Sequence, residues 1–218
     1  MGIYQQFPRL IWMLALVCFA GLTGCASGQI HSSSDFESSG LEASELVAGG
    51  VAFITPSTVT GQEADRQALA LIFTEVIREA RPEVEITSLS QTLSAINEAG
   101  LSDQYKQMYV DYSDTGIFKL STLQEISKST GRRYLFQLKL SSFKQDTKGR
   151  FSALGLRLFQ TTLANIRLFL QVWDAQTGAI VWEGNEEVTF AEDTGYERPV
   201  TFESMVRKAA GNLIKNLP

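Results

Sequence analysis

Few residues in this chain have side chains suited to covalent or metal chemistry, so each can be weighed in turn. The 218 residues include two cysteines, Cys18 and Cys25, and one histidine, His31. A thiolate nucleophile or a zinc site needs such groups gathered in the folded body. All three instead precede the first regular hydrophobic pattern. Ser141-Ser142-Phe143-Lys144 has the S-x-x-K spacing that lets a lysine activate a serine one helical turn away. Here the stretch ends an alternating strand pattern, where positions i and i+3 point to opposite faces. No S-D-N or K-T-G follows; Thr147-Lys148-Gly149 has the wrong order. Asp146, Glu186, Glu187 and Asp193 are hard oxygen donors, but no D-x-[DN]-x-[DN]-G loop accompanies them, so they read as a solvated face. Gly49-Gly50 precedes a strand pattern rather than a helix, which removes a phosphate-cradling reading. No catalytic residue, metal site or cofactor is implied. A hydrolase using a pair of scattered carboxylates is the third alternative.

Cys25 has a different chemistry. Arg9 supplies a positive n-region, Leu10 to Ala20 is an uncharged apolar run, and small residues follow at Gly21, Thr23 and Gly24. The run is too short for the roughly 20 apolar residues of a membrane-crossing helix. Leu22-Thr23-Gly24-Cys25 resembles the bacterial lipobox. The resemblance implies that residues 1–24 are a signal peptide and that Cys25 is the lipidation site, carrying palmitate-type acyl chains. Each buried methylene contributes about 0.8 kcal/mol of membrane affinity, so two or three chains hold durably. By resemblance to Gram-negative sorting rules, Ala26 favours the outer membrane, with the domain facing the periplasm.

Once Cys18 is removed with the signal and Cys25 is acylated, no free thiol is left to form a disulfide. The domain must be held by its core alone. Residues 25–46 are expected to be the lipidated cysteine and a flexible tether, because the segment is rich in Ser, Gly and acids; its reach is roughly 25 Å. A single periplasmic α/β domain then covers residues 47–218. The chain has 19 Lys+Arg against 24 Asp+Glu. The signal removes Arg9 alone, leaving 18 against 24, a net charge of −6. That argues against nucleic acid as a partner.

Periodicity predicts the elements. Val51 to Thr55 is a buried strand ended by Pro56. Gly61 to Ala80 is a helix with Ala64, Ala68, Ile72, Val76 and Ala80 on one face. Glu83 to Leu89 alternates as a second strand. Helices follow at Ser90 to Gly100, Ser102 to Asp114 and Leu120 to Thr130, the last with Thr122 and Glu125 at capping-box spacing. Tyr105, Met108, Tyr109 and Tyr112 form a stripe that is either core or a binding face. The period then drops to 2 in Arg133 to Phe143, Thr162 to Asp174 and Ala179 to Phe190. Asp174 to Gly178 joins the last two as a hairpin. With Asp174 facing Ala179, Phe169, Trp173, Ile180 and Trp182 share one face, and Leu168, Leu170, Val172 and Val181 the other. A last helix occupies residues 200–217. The expected class is α/β: a mixed sheet of about five strands flanked by helices, with a βαβ start, then antiparallel strands and a C-terminal helix.

VAFITP, SLSQTLSAINEAGLSDQY, LSTLQEISKSTGRRYLFQLKLSSF and VWDAQTGAIVWEG follow one another between residues 47 and 190. This order resembles the CsgG-like and TolB-N-terminal-like lipoprotein group, and is similar to the lipoprotein activators of penicillin-binding proteins. Its motifs are structural turns. The resemblance implies a non-catalytic envelope lipoprotein that binds a protein partner in an accessory, assembly or transport role. The alternative is a subunit of an oligomeric outer-membrane secretion or export complex, hence a homo-oligomer. Phe151, Leu154, Leu156, Arg157 and Phe159 are the candidate partner-binding residues. They interrupt what should be an exposed connection, Lys144 to Gln160, with apolar side chains bordered by Lys144, Lys148, Arg150 and Arg157. The other reading has this stretch extend the following strand into the sheet; both stand at this point.

Overall fold

The computed structural model describes residues 28–153, 156–194 and 200–218, with side chains described for 29–146, 163–191 and 200–218. The elements run β1 (Gly28–Ser38), α1 (Ala43–Gly49), β2 (Val51–Phe53), β3 (Ser57–Thr58), α2 (Glu63–Ala80), β4 (Ile86–Thr87), α3 (Leu89–Glu98), α4 (Ser102–Thr115), α5 (Leu120–Thr130), β5 (Tyr134–Ala153), β6 (Leu156–Asp174), β7 (Ile180–Thr194) and α6 (Phe202–Lys215). The fold is the mixed α/β class expected. Its sheet has seven strands in the order β1-β7-β6-β5-β2-β4, with β3 also pairing β5. β2 is parallel to β4 and β5. The β5, β6, β7 and β1 pairs are antiparallel.

Both faces of the sheet are covered, each by its own cluster. On one face, Phe53, Phe136, Leu138, Leu140, Ile166, Leu168, Leu170, Val172 and Trp182 meet α2 and α6. α6 buries Met205, Val206, Ala209, Ala210, Leu213 and Ile214, the stripe that its period of 3.6 predicts. Each of the larger side chains contributes about 1.5–3 kcal/mol by burial. On the other face, Ala52, Ile54, Leu135, Trp173 and Ala175 pack under Tyr105, Met108, Phe118, Leu123 and Ile126 from α4, α5 and their connection.

Four expectations change. Residues 28–38, expected within a flexible tether, form β1, paired along its length with β7 from Glu192 to Trp182. Serine-rich composition hides such a strand because the ladder comes from the partner's backbone. The strand expected at Glu83 to Leu89 shrinks to Ile86–Thr87, which pairs only with β2. α5 is capped at Lys119 without a side-chain bond, and Thr122 is buried inside it. The capping box instead opens α3, where Ser88 and Gln91 exchange side-chain and backbone bonds. Finally, a register shift between Val172 and Trp173 pairs Trp173 with Ile180 but Val172 with Trp182. The extra residue there, Val181, moves Trp182 to the face of Val172, away from Trp173.

Candidate functional site

The sequence places its candidate contacts on the connection between two strands, and the backbone turns most of that connection into strand. β5 is 20 residues and β6 is 19, in register from Tyr134↔Asp174 to Ala153↔Leu156. At about 3.3 Å per residue each spans about 65 Å. Residues 144–153 prolong β5 and 156–160 prolong β6. Backbone pairing sets Phe151 against Phe159, Ser152 against Arg157 and Ala153 against Leu156. The side chains of Phe151, Leu156, Arg157 and Phe159 lie outside the described residues, as do Leu154 and Cys25 altogether.

The base of this ribbon is fixed by charge. Arg133 Nε and Nη2 donate to the two Asp174 carboxylate oxygens at 3.1 and 2.9 Å, and the Asp174 side chain is 3% exposed. The Gln176 N–H also donates to Asp174 at 2.9 Å, closing the loop that Gly178 turns at φ 77°. Burial pushes the Asp174 carboxyl up, but the Arg133 fork, the Gln176 N–H and the Thr177 hydroxyl outweigh it and hold the group below its ordinary value.

β1 runs up the ribbon's far side. Gly28 pairs Glu192, Glu192 pairs Thr162, and Thr162 pairs Thr147. The first described residue after Cys25 therefore stands on the row of Thr147, near the ribbon's outer end. Glu186, expected on a solvated face, is fully buried on the core side. Its carboxylate accepts from Asn212 Nδ2 of α6 at 2.6 Å and from the Ser34 hydroxyl of β1. A buried acceptor held from both sides pins β1 to the folded body. On the opposite face Glu187 accepts from Arg167 and Asn165, bonds that lower its carboxyl pKa.

The tyrosine stripe of α4 packs inward. Tyr105 Oη accepts from the Thr55 N–H at 2.8 Å, and Tyr109 Oη donates to the Thr55 carbonyl at 2.8 Å. Tyr112 stacks on Phe118 with ring centres 4.2 Å apart and bonds Gln171 at 3.2 Å. Two of the three hydroxyls thus tie α4 to the chain leaving β2. Burial raises the Tyr105 and Tyr109 phenols, Tyr109 well above its ordinary value, with Tyr105 adding to the rise at Tyr109. Both stay neutral hydrogen-bonding groups at physiological pH. Over them lies a cleft of about 1010 Å³, walled by Arg66, Lys106, Lys139 and Asp114. That lining suits polar binding. It has no base poised beside a nucleophile.

No protein-family model and no curated protein matches the sequence. Among solved structures, the PelC dodecamer from Paraburkholderia phytofirmans is 11% identical over 88% of this chain and 97% of its own, at TM-score 0.48. Lipoprotein GNA1162 from Neisseria meningitidis is 10% identical over 77% of this chain and 99% of its own, at TM-score 0.38. The LpoB C-terminal domain from Escherichia coli is 19% identical over 64% of this chain and 82% of its own, at TM-score 0.35. At these scores the likenesses assign no function to the chain.

Proposed function

We propose that this chain is a lipid-anchored, non-catalytic envelope protein whose periplasmic domain binds a protein partner in an accessory, assembly or transport role. The observation that carries the reading is the register of β1. Cys25 is three residues before Gly28, a span of at most about 11 Å. Gly28 shares its row with Thr147, six positions short of the end of β5 at Ala153. An acyl chain on Cys25 therefore brings the ribbon's outer end to the membrane surface instead of leaving the domain on a long leash. The apolar and basic residues of that end, Phe151, Leu156, Arg157 and Phe159 with Leu154 between the strands, are offered to an envelope protein that itself lies at the membrane. The cleft over Tyr109 lies at the other end of the ribbon and is not required by this contact.

The test is a photoreactive residue at Leu156 in the full chain, irradiated in intact cells. The expected result is a discrete adduct with one other envelope protein, lost when Phe151 and Phe159 are changed to Asp. No adduct from a folded, membrane-bound chain refutes the contact. Labelling with an alkyne fatty acid checks the anchor separately. Label should enter the parent and be absent from Cys25→Ser; label in both, or in neither, refutes the anchor.

A further inference from the structure

Among the described residues the sheet has two long unpaired edges, and they differ in charge. β1 is an edge strand of 11 residues with unbroken register to β7 and no proline, lysine or arginine. It carries Asp35 and Glu37, and Ile30 and Phe36 are each more than half exposed. The other edge belongs to β5. β2 pairs it at Tyr134 to Phe136 and β3 at Lys139 and Leu140, with a last bond from the Val59 N–H to the Leu140 carbonyl. From Ser142 to Ala153 no described strand lies beyond it. That stretch holds Lys144, Lys148 and Arg150 against Asp146. Natural edges of this length are blunted by proline, bulges, charge or a cover, because open backbone donors and acceptors recruit another strand. The β1 edge carries no bulge and no lysine.

We infer that the acidic β1 edge of one copy pairs antiparallel with the basic Phe143–Ala153 edge of the next, so that the protein assembles head-to-tail into a ring. β5, β6, β7 and β1 alternate in direction, so a following β5 meets β1 antiparallel and the sheet continues without a break. Sliding the next copy about six residues along the strands sets Ser38 opposite Phe143 and runs β1 along a free edge of equal length. An even shift keeps every side chain on its own face. In this register Glu37 faces Lys144, both exposed and both without an ion-pair partner among the described residues. Asp35 then faces Asp146, with the Lys144 and Lys148 positions on its diagonals. The stagger is about 20 Å across four strands spanning about 19 Å, a tilt of about 45°, at the upper end of the range for closed barrels. Because the two edges are unlike, the contact is heterologous, and a constant tilt lets it close. The inference stands on the described strands and does not rest on lipidation of Cys25.

The test places Glu37→Cys and Lys144→Cys in one full chain, oxidised in its native membrane. Within a chain the two sites lie on opposite edges, roughly 14 Å apart sideways, beyond the reach of a disulfide. The expected result is a ladder of dimers, trimers and larger species on non-reducing gels, absent from the parent and from either single variant. A dimer from one single variant means like edges pair, and overturns the proposal. So does an adduct with a different protein, or no crosslink from a folded chain. A second measurement uses the mass of the detergent-extracted protein. Glu37→Lys should abolish the assembly, and adding Lys144→Glu should restore it. An unchanged mass in Glu37→Lys, or a monomeric parent that only binds lipid vesicles, also overturns it. Glu37→Lys leaves the Leu156 adduct intact, which separates failure here from failure of the proposed function.

Discussion

Gly184 is where the register shift in β7 has its sharpest energetic consequence. The shift turns Trp182 toward α6, and its indole lies across the backbone of Gly184, two residues on. A methyl group at position 184 would sit 2.8 Å from Trp182 Cζ3, closer still to Cη2, and 3.0 Å from Leu213 Cδ2. Trp182 is 1% exposed and Leu213 is equally buried, so neither can swing into solvent. Overpacking of a filled core costs about 1–3 kcal/mol, and a rigid ring places Gly184→Ala at the upper end, about 3 kcal/mol. Gly211→Ala is the control. It lies within α6, a Cβ there meets nothing within 4 Å, and replacing a helical glycine by alanine gains up to about 1 kcal/mol. Urea unfolding followed by tryptophan fluorescence reads both. The two variants should move the midpoint in opposite directions at constant slope. A Gly184→Ala midpoint equal to the parent's would refute the packing of Trp182 against α6, and with it the bulge at Val181.

Two further predictions concern titration. Asp174 has its folded-state pKa held down, so its pairing with Arg133 stabilises the protein fully above the ordinary carboxyl value of about 3.9 and is lost as pH falls through the lower folded value. Asp174→Asn should cost about 2–3 kcal/mol at pH 7 and little at pH 2–3; an equal loss at both would show that charge is not the cause. Tyr105 and Tyr109 have raised phenol pKa values, so their contribution is intact below the ordinary value of about 10 and declines as pH rises through the higher folded values. Ultraviolet titration of the native protein should leave two tyrosines un-ionised until the fold gives way, and ionisation of all of them near pH 10 in a folded protein would contradict their burial.

Local periodicity carries far in this chain where an element is amphipathic and stops where pairing decides. α5 spans Leu120 to Thr130 as the pattern predicts, and the α6 stripe is the one buried. Each strand of the antiparallel block begins or ends where alternation places it. The Trp182 face is illegible because a single unpaired residue reverses parity without leaving a mark in composition. β1 is illegible for a related reason: Ser32 to Ser34 offer little β propensity, and the ladder with β7 and the Glu186 bonds to Ser34 and Asn212 are contacts between distant segments. Glu186 itself shows the limit for polar residues. Beside Glu187 it reads as one of two surface acids, yet alternation along β7 sends one to solvent and the other into the core, where only partners from β1 and α6 make its burial tolerable.

The candidate contacts were legible as residue types but not as a place. Apolar residues within Lys144 to Gln160 mark an unusual connection, and the sequence leaves open whether they extend a strand. The backbone answers that part, and its answer changes what the N-terminal segment does. A tether of roughly 25 Å would let the domain sample many orientations. A strand hydrogen-bonded from Gly28 to Ser38 leaves three residues between Cys25 and the folded body, so anchor, ribbon end and membrane share one level. The same strand closes off the outer side of β7 and, in doing so, creates a new edge of its own. One segment therefore orients the domain to the membrane and presents the edge a neighbouring copy can extend. Loosening it should disturb both. Glu186→Leu removes the acceptor that Ser34 and Asn212 share, and hydrogen exchange should quicken along residues 28–38 while β5 and β6 stay protected. Unchanged protection of β1 in that variant would mean that the backbone ladder alone holds the strand.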